Sequence, residues 1–400
     1  MKSLALFPIL WSLATACGGT APRPQGNAAG IADSINTAYR QSHVYVPVTV
    51  GDSITGNFIF DTGGSTFYLD SLFFSRHFSG LPVGKAAIGG AGNSLDQVPI
   101  IVSPLSFSVA GETHSSPMTP VLPLKNILGK KIDGIVGIDF FKDKYIAIDY
   151  TTGDFRLTES PDTAGYRRIP LTYRDGRLLA DARVIIEGKT TGGKFLLDTG
   201  SGGTIDLSAP AARSAGLENG TAPRAVYRTT NGGIGGDASY TNVVADDIIL
   251  DTFHLRGIKI SYSSNRGGAL ASENHTGLLG GRILRLFDVI LDLKGHNLFL
   301  RPNRHYGHPT EALFHGILYV DRTDVCDGYL VTGMSRGGAA EKAGLKPGDI
   351  LTGIDGVPVA EMNEGQVDKL LGSTAQDTLI LSVSRDGKRM DLRYKPHPTL

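Results

Sequence analysis

Two copies of one short pattern constrain this chain more than any other feature. Phe58-Ile59-Phe60-Asp61-Thr62-Gly63 recurs as Phe195-Leu196-Leu197-Asp198-Thr199-Gly200, the aspartates lying 137 residues apart. Gly134-Ile135-Val136-Gly137 recurs as Gly277-Leu278-Leu279-Gly280, and Ile146-Ala147-Ile148-Asp149-Tyr150 as Val289-Ile290-Leu291-Asp292-Leu293, both at an offset of 143. Three blocks in the same order, with six residues of drift, indicate a duplicated supersecondary unit. Each copy opens with a hairpin pattern: residues 45–50 and 57–60 around Gly51-Asp52, then 182–186 and 194–197 around Glu187-Gly188. Short apolar stretches between Gly-rich turns indicate an all-β unit. The 52 glycines among 400 residues, about twice the usual ~7%, fit that turn-rich reading. Residues 160–165, with Pro161, read as the boundary between copies.

Each Asp-Thr-Gly follows three apolar residues, where a buried strand would end in a turn. Taken singly it reads as no more than that, because Asp and Gly are common turn residues. At equivalent places in a duplicated chain, a pseudo-twofold axis would bring Asp61 and Asp198 face to face. Two carboxylates ~3 Å apart cannot both ionise and share one proton. The ionised partner can take a proton from water while the neutral one donates to a carbonyl oxygen. Thr62 and Thr199 would hydrogen-bond across the axis, and Gly63 and Gly200 would permit the close backbone approach.

These residues resemble the signature of retropepsin-like aspartic proteases, with both halves in one chain over roughly residues 43–302. That signature is apolar-apolar-Asp-Thr-Gly, then apolar-apolar-Gly 60 to 80 residues later; here the gaps are 76, to Gly137, and 82, to Gly280. The resemblance implies a mainly β fold: two pseudo-twofold-related retropepsin-like lobes, residues 42–160 and 165–305. It implies Asp61 and Asp198 as catalysts, with Asp139 and Arg282 as helix-start or supporting groups. It also implies flaps over the substrate, at Gly89, Gly90 and Gly92 in copy one and Gly232, Gly233 and Gly235 in copy two. The alternative is two long surface turns. Tyr227 and Tyr240 flank the second flap without an evident role. Pepsin-like enzymes carry a Ser or Thr after the triplet, bonding the outer carboxylate oxygen; Ser201 fits that place, whereas copy one has Gly64 there and Ser65 after it. An asymmetric dyad titrating above pepsin's follows. No cofactor and no metal are implied, and one chain suffices for the site.

From about Thr310 the pattern changes. Residues 339–343 make a short helix stopped by Gly344, Lys346-Pro347-Gly348-Asp349 turns into a strand at 350–354, and a second helix is expected at 366–371. Strands at 379–383 and 390–394 close the unit. This run resembles a PDZ domain of the bacterial envelope-protease type, an α+β, partly open barrel over residues 310–400. PDZ domains bind chain ends by strand addition. The carboxylate loop is expected near Leu313-Phe314-His315-Gly316, and a mere packing role is the alternative.

The N-terminus opens on Met1-Lys2, an apolar run at 4–14, then Ala14-Thr15-Ala16-Cys17. That is the pattern of a secretory signal peptide, residues 1–16. Cys17 stands where bacterial lipoproteins carry their lipid, although ordinary signal-peptidase cleavage also fits. Residues 17–41 read as a flexible tether, and the address is the cell envelope, facing the periplasm. Lipidation of Cys17 would leave Cys326 without an intramolecular partner, and Cys326 reads as inert. Equal numbers of basic and acidic residues, 39 each, argue against nucleic acid as a partner. Two cysteines exclude four-cysteine metal sites. Gly188-Lys189-Thr190 lacks the upstream glycine of a phosphate loop, no Gly-x-Ser-x-Gly occurs, and His296, His305 and His308 fit no metal helix.

The expectation is therefore an exported aspartic endopeptidase whose PDZ domain recruits peptide or unfolded protein. The membrane is touched only through a lipid anchor. The rival is a non-catalytic peptide-binding scaffold lipoprotein that keeps the fold.

Overall fold

The computed structural model describes residues 42–230, 232–308, 315–373, 378–397 and 399. The signal peptide, the tether, Cys17, Asn231 and the Leu313-Phe314 part of the expected carboxylate loop lie outside the described residues. Strand β1 (Val44–Val50) buries Val44, Val46, Val48 and Val50 on one face, the two-residue period of a strand covered on one side. It turns into β2 (Ile54–Asp61), pairing antiparallel from Val44↔Phe60 to Val50↔Ile54. Toward its end β2 abandons alternation: Phe58, Ile59 and Phe60 are all buried, because the sheet is covered on both faces there. Strands β3 (Val83–Gly89) and β4 (Leu95–Ile101) form a long hairpin. Strand β5 (Gly134–Gly137) runs parallel to β2, with Phe58↔Gly134 and Asp61↔Gly137. Strand β6 (Tyr145–Asp149) then leads away from this sheet.

The second half repeats this plan. Strands β7 (Arg177–Ile186) and β8 (Lys189–Asp198) are joined by Glu187 (φ 51°) and Gly188 (φ 71°), the two positive φ angles that match a twisted hairpin. Strands β9 (Ala225–Thr229) and β10 (Ala238–Val244) form the second long hairpin. Strand β11 (Gly277–Gly280) runs parallel to β8, with Phe195↔Gly277 and Asp198↔Gly280. Close approach dictates glycine in β5 and β11. A Cβ on Gly134 would fall 2.0 Å from a Phe58 ring carbon, and one on Gly277 would fall 2.4 Å from the Asp206 carbonyl oxygen.

Strand β12 (Phe287–Asp292) pairs antiparallel with β6, and Ala147 lies opposite Ile290. Those two residues are themselves 143 apart, so each occupies the same place in its repeat and a local twofold passes between them. One apolar cluster runs through both halves. In it Phe67 stacks on Phe58 at 5.1 Å and on Phe107 at 4.1 Å between ring centres. Each such ring contributes roughly 1.5–3 kcal/mol by leaving water.

The C-terminal unit has its own core, built around Tyr329, Leu351, Val367, Leu381 and Tyr394. Its elements are β13 (Ile317–Asp321), β14 (Tyr329–Ser335), the short α1 (Ala339–Lys342), β15 (Ile350–Ile354), α2 (Glu364–Gly372), β16 (Leu379–Arg385) and β17 (Lys388–Tyr394). Helix α2 starts at a reciprocal cap: Gln366 N–H donates to Asn363 Oδ1 at 2.9 Å and Asn363 N–H donates to Gln366 Oε1 at 2.8 Å. Val367 and Leu371, one turn apart, form its buried face.

Two features depart from the sequence expectations. The unit expected to begin near residue 310 shares a sheet with the second half, because β14 pairs with β9 through Tyr227↔Ser335, Arg228↔Met334 and Thr229↔Gly333. Pairing satisfies an edge that β9 would otherwise expose. Cys326 is no inert thiol; it is held in a disulfide. Among the described residues no helix is long and apolar enough to cross a membrane.

Candidate functional site

The parallel pairs β2·β5 and β8·β11 deliver Asp61 and Asp198 to one place. Thr62 and Thr199, both fully buried, lock the junction. Thr62 Oγ1 donates to Leu197 O at 2.6 Å and accepts from Thr199 N–H at 3.0 Å. Thr199 Oγ1 donates to Phe60 O at 2.8 Å and accepts from Thr62 N–H at 3.0 Å. Each hydroxyl thus does for the opposite turn what the other does for its own. The glycines bring the carboxyls close. A Cβ on Gly63 would lie 2.7 Å from Asp198 Cγ, and one on Gly200 would lie 2.4 Å from Asp61 Cγ. Each carboxyl thus packs against the glycine of the opposite turn, which sets the two side by side.

Their surroundings are unequal. Burial raises Asp61, but the Gly63 N–H on its Oδ1 at 2.7 Å, the Asp198 side chain and the charge of Arg177 draw it back. Burial raises Asp198 further, and the charges of Asp61 and Asp206 add to it, leaving it well above the usual carboxylate range. Two buried carboxyls this close cannot both ionise and titrate as one coupled pair, with Asp198 the more strongly raised.

Ser201 supports Asp198 through its backbone, its N–H reaching Asp198 Oδ1 at 2.9 Å. Its hydroxyl instead accepts from Gly203 N–H at 3.1 Å and lies 3.5 Å from Asp206 Oδ2. This corrects the hydroxyl contact to the carboxylate that the resemblance implied. A Cβ at Gly64 would fall 2.8 Å from Asp61 Oδ2, so the missing hydroxyl position there is also sterically closed. Asp139 and Arg282 sit in the one-turn helices Ile138–Phe141 and Gly281–Leu284, directly after the paired glycines.

A cavity of about 860 Å³ opens over the carboxyls. The tips of the two long hairpins meet above it. Gly92 N–H donates to Ile234 O at 2.9 Å and Ser94 N–H to Gly235 O at 2.9 Å. Gly235 has φ 100° and Gly236 φ 81°, the left-handed region glycine tolerates. Gly89, Gly90, Gly232 and Gly233 line the cavity beneath. Tyr227 and Tyr240 stack at 5.3 Å on the second hairpin and line it too.

Several lining residues escaped the sequence reading. Tyr68 lies opposite Ile135 of β5, and Asp206 lies opposite Leu278 of β11. The two are therefore repeat equivalents that differ in chemistry. Burial and the nearby Asp61 charge push the Tyr68 hydroxyl up; burial also raises Asp206, against a hydrogen bond from Ser261. A repeat comparison allowing a one-residue insertion after Thr199 would have aligned them. Lys259, also in the cavity wall, is pulled down to about 6 by burial and by Arg282. His43, ahead of β1, places Nε2 3.1 Å from Gly200 O across the junction. Among the described residues no three His, Cys, Asp or Glu side chains gather as for a metal ion.

No curated protein matches this chain. A family model for the PDZ domain matches residues 330–385, from β14 to the end of β16. PDZ domains generally bind peptide ligands, taking an extended chain alongside a strand. The chain therefore carries a PDZ domain at residues 330–385, in line with the sequence expectation for that segment.

Proposed function

We propose that this protein is an aspartic endopeptidase with retropepsin-like lobes at residues 42–160 and 165–305. In this reading Asp61 and Asp198 are its catalytic pair and the PDZ domain recruits peptide or unfolded protein. The observation that carries the reading is the reciprocal Thr62/Thr199 bonding, which presents two neighbouring buried carboxyls in the wall of one cavity. A scaffold has no use for two like acids held together, whereas hydrolysis does.

The chemistry follows from the unequal surroundings. Asp61, the more acidic partner, takes a proton from a water between the carboxyls while that water's oxygen bonds to the scissile carbonyl carbon. Asp198 gives its proton to the carbonyl oxygen, forming a neutral gem-diol. Asp198, now ionised, takes a proton back from a gem-diol hydroxyl and the carbonyl re-forms. As the C–N bond breaks, the proton held by Asp61 passes to the leaving nitrogen. The products are a carboxylic acid and an amine, and the dyad again holds one proton. The joined hairpin tips exclude bulk water and must part for substrate to enter.

A second reading, a non-catalytic peptide-binding scaffold of the cell envelope, draws on the PDZ match and on the absent hydroxyl at Gly64. Export to the periplasmic side belongs to either reading. A lipid on Cys17 and an intramolecular disulfide to Cys326 exclude one another, since the chain has two cysteines. Incubation with an unfolded protein over about pH 3 to 8, with products read by mass spectrometry, tests the proposal. We expect cleavage with an optimum above about pH 3. No cleavage at any pH would hand the case to the scaffold.

A further inference from the structure

We propose that this protein selects substrates with an aspartate or glutamate near the cut bond, its side chain held by Arg174 and Arg177 in the cavity wall. The proposal rests on the proteolytic reading above and adds the substrate class.

The first observation is a hairpin that sets two like charges together. Strand Thr172–Arg174 turns back into β7 through Asp175 (φ 52°) and Gly176 (φ 73°), and the register places Arg174 directly opposite Arg177. Like charges at such a cross-strand pair repel each other. Among the described residues no acidic side chain forms an ion pair with either guanidinium. Arg174 Nη2 donates to the Asn274 carbonyl oxygen, a neutral acceptor that leaves the charge uncompensated. Asp175, exposed at the turn, lines the same cavity and pairs with neither arginine.

The second observation is place. The cavity that contains Asp61 and Asp198 is also lined by Arg174, Arg177 and His275. Leu179 lies opposite Leu196, so Arg177, two residues earlier, comes level with Asp198, two residues later. The Arg177 charge acts on Asp61 and on Tyr68. A chain laid over the two aspartates therefore passes this hairpin close to its scissile bond.

The third observation is polar groups left without partners. Arg177 Nη1 and His275 Nδ1 are both buried and take part in no hydrogen bond. Burial and the two arginine charges push the His275 imidazole down, so near pH 7 it stands neutral and offers a hydrogen-bonding group without a third charge. A carboxylate fits the guanidinium fork, gains charge-assisted hydrogen bonds and offsets the repulsion between the arginines. The site has no counterpart in the first half. One step beyond Val44↔Phe60, His43 comes level with Asp61 as Arg177 does with Asp198, but its Nε2 is engaged with Gly200 O at 3.1 Å. The acidic side chain is thus read on one side of the scissile bond.

The test uses the full chain. Cut sites in an unfolded protein are read by mass spectrometry, and peptides spanning one site are made with Glu or Gln at each nearby position in turn. We expect one position, on one side of the bond, where Glu exceeds Gln in kcat/KM by about tenfold or more. Arg177→Gln should abolish that ratio, and Arg177→Glu should favour Lys at the same position. Comparing two peptides on one enzyme cancels the effect of Arg177 on Asp61. Arg174→Gln, at an exposed residue, should shrink the ratio and serves if the Arg177 variants do not fold. Equal cleavage of Glu and Gln peptides at every position, or a preference unchanged in the arginine variants, overturns the proposal while the proteolytic reading survives. If no peptide is cut, the proteolytic reading fails and the proposal with it.

Discussion

Deleting one threonine hydroxyl tests the twofold junction in the currency of stability. Thr62→Val keeps the side-chain volume and removes Oγ1. That strands the Leu197 carbonyl, its acceptor at 2.6 Å, and the Thr199 N–H, its donor at 3.0 Å. Thr62 and Thr199 have no exposed surface, so water does not replace the lost partners. Each stranded buried group costs ~1–3 kcal/mol, giving about 2–6 kcal/mol for the variant. Thr199→Val strands a separate pair, Phe60 O and Thr62 N–H, and should cost about the same. Thr62→Ser, which keeps the hydroxyl, should recover most of the loss. The assay is urea unfolding followed by near-ultraviolet circular dichroism of the tyrosines. The chain's one tryptophan, Trp11, lies in the expected signal peptide. A loss below about 0.5 kcal/mol in either Val variant, the size of an ordinary surface change, refutes the reasoning. So does a large loss in one variant without the other.

Three further outcomes follow from the same structure. Asp198 sits well above its reference value of 3.8, so the native state holds a proton that the unfolded chain releases. Stability is then complete below that reference and falls as pH rises through the raised value. Asp198→Asn should raise the melting temperature near pH 7, with a gain that vanishes toward pH 4, read by thermal scans over pH. Lys259 shifts the opposite way, from 10.5 to about 6, so the unfolded chain binds the extra proton and stability is lost as pH falls through that window. Lys259→Met should raise the melting temperature near pH 7, with the gain fading toward pH 10.5. Gly134→Ala would put a methyl carbon 2.0 Å from the Phe58 ring. It should cost about 3 kcal/mol or lose the fold, read as soluble yield and melting temperature, and a wild-type value would refute that packing argument.

The sequence was most readable where the chain repeats itself. Identical triplets after apolar runs located Asp61 and Asp198, and block spacing located β5 and β11, because the glycines there are dictated by backbone contact. The PDZ elements were readable from their own punctuation: Gly344 ends α1, and the turn before Asp349 starts β15. What stayed hidden depends on partners distant in sequence. Ser201 carries a hydroxyl where the resemblance expects one, yet Gly203 and Asp206 claim it. Tyr68 and Asp206 carry no motif, and only their places opposite Ile135 and Leu278 bring them beside Asp61 and Asp198. The β9·β14 junction was equally hidden, since nothing in residues 225–229 marks that edge as one that pairs with residues 333–335.

Single-turnover cleavage by the wild type, Asp61→Asn and Asp198→Asn, each shown folded by circular dichroism, tests the central claim most directly. We expect cleavage by the wild type and loss of about 10³-fold or more in each variant, because neither carboxyl can work alone. Cleavage that persists in either variant, at the same bonds and a comparable rate, would contradict a shared dyad.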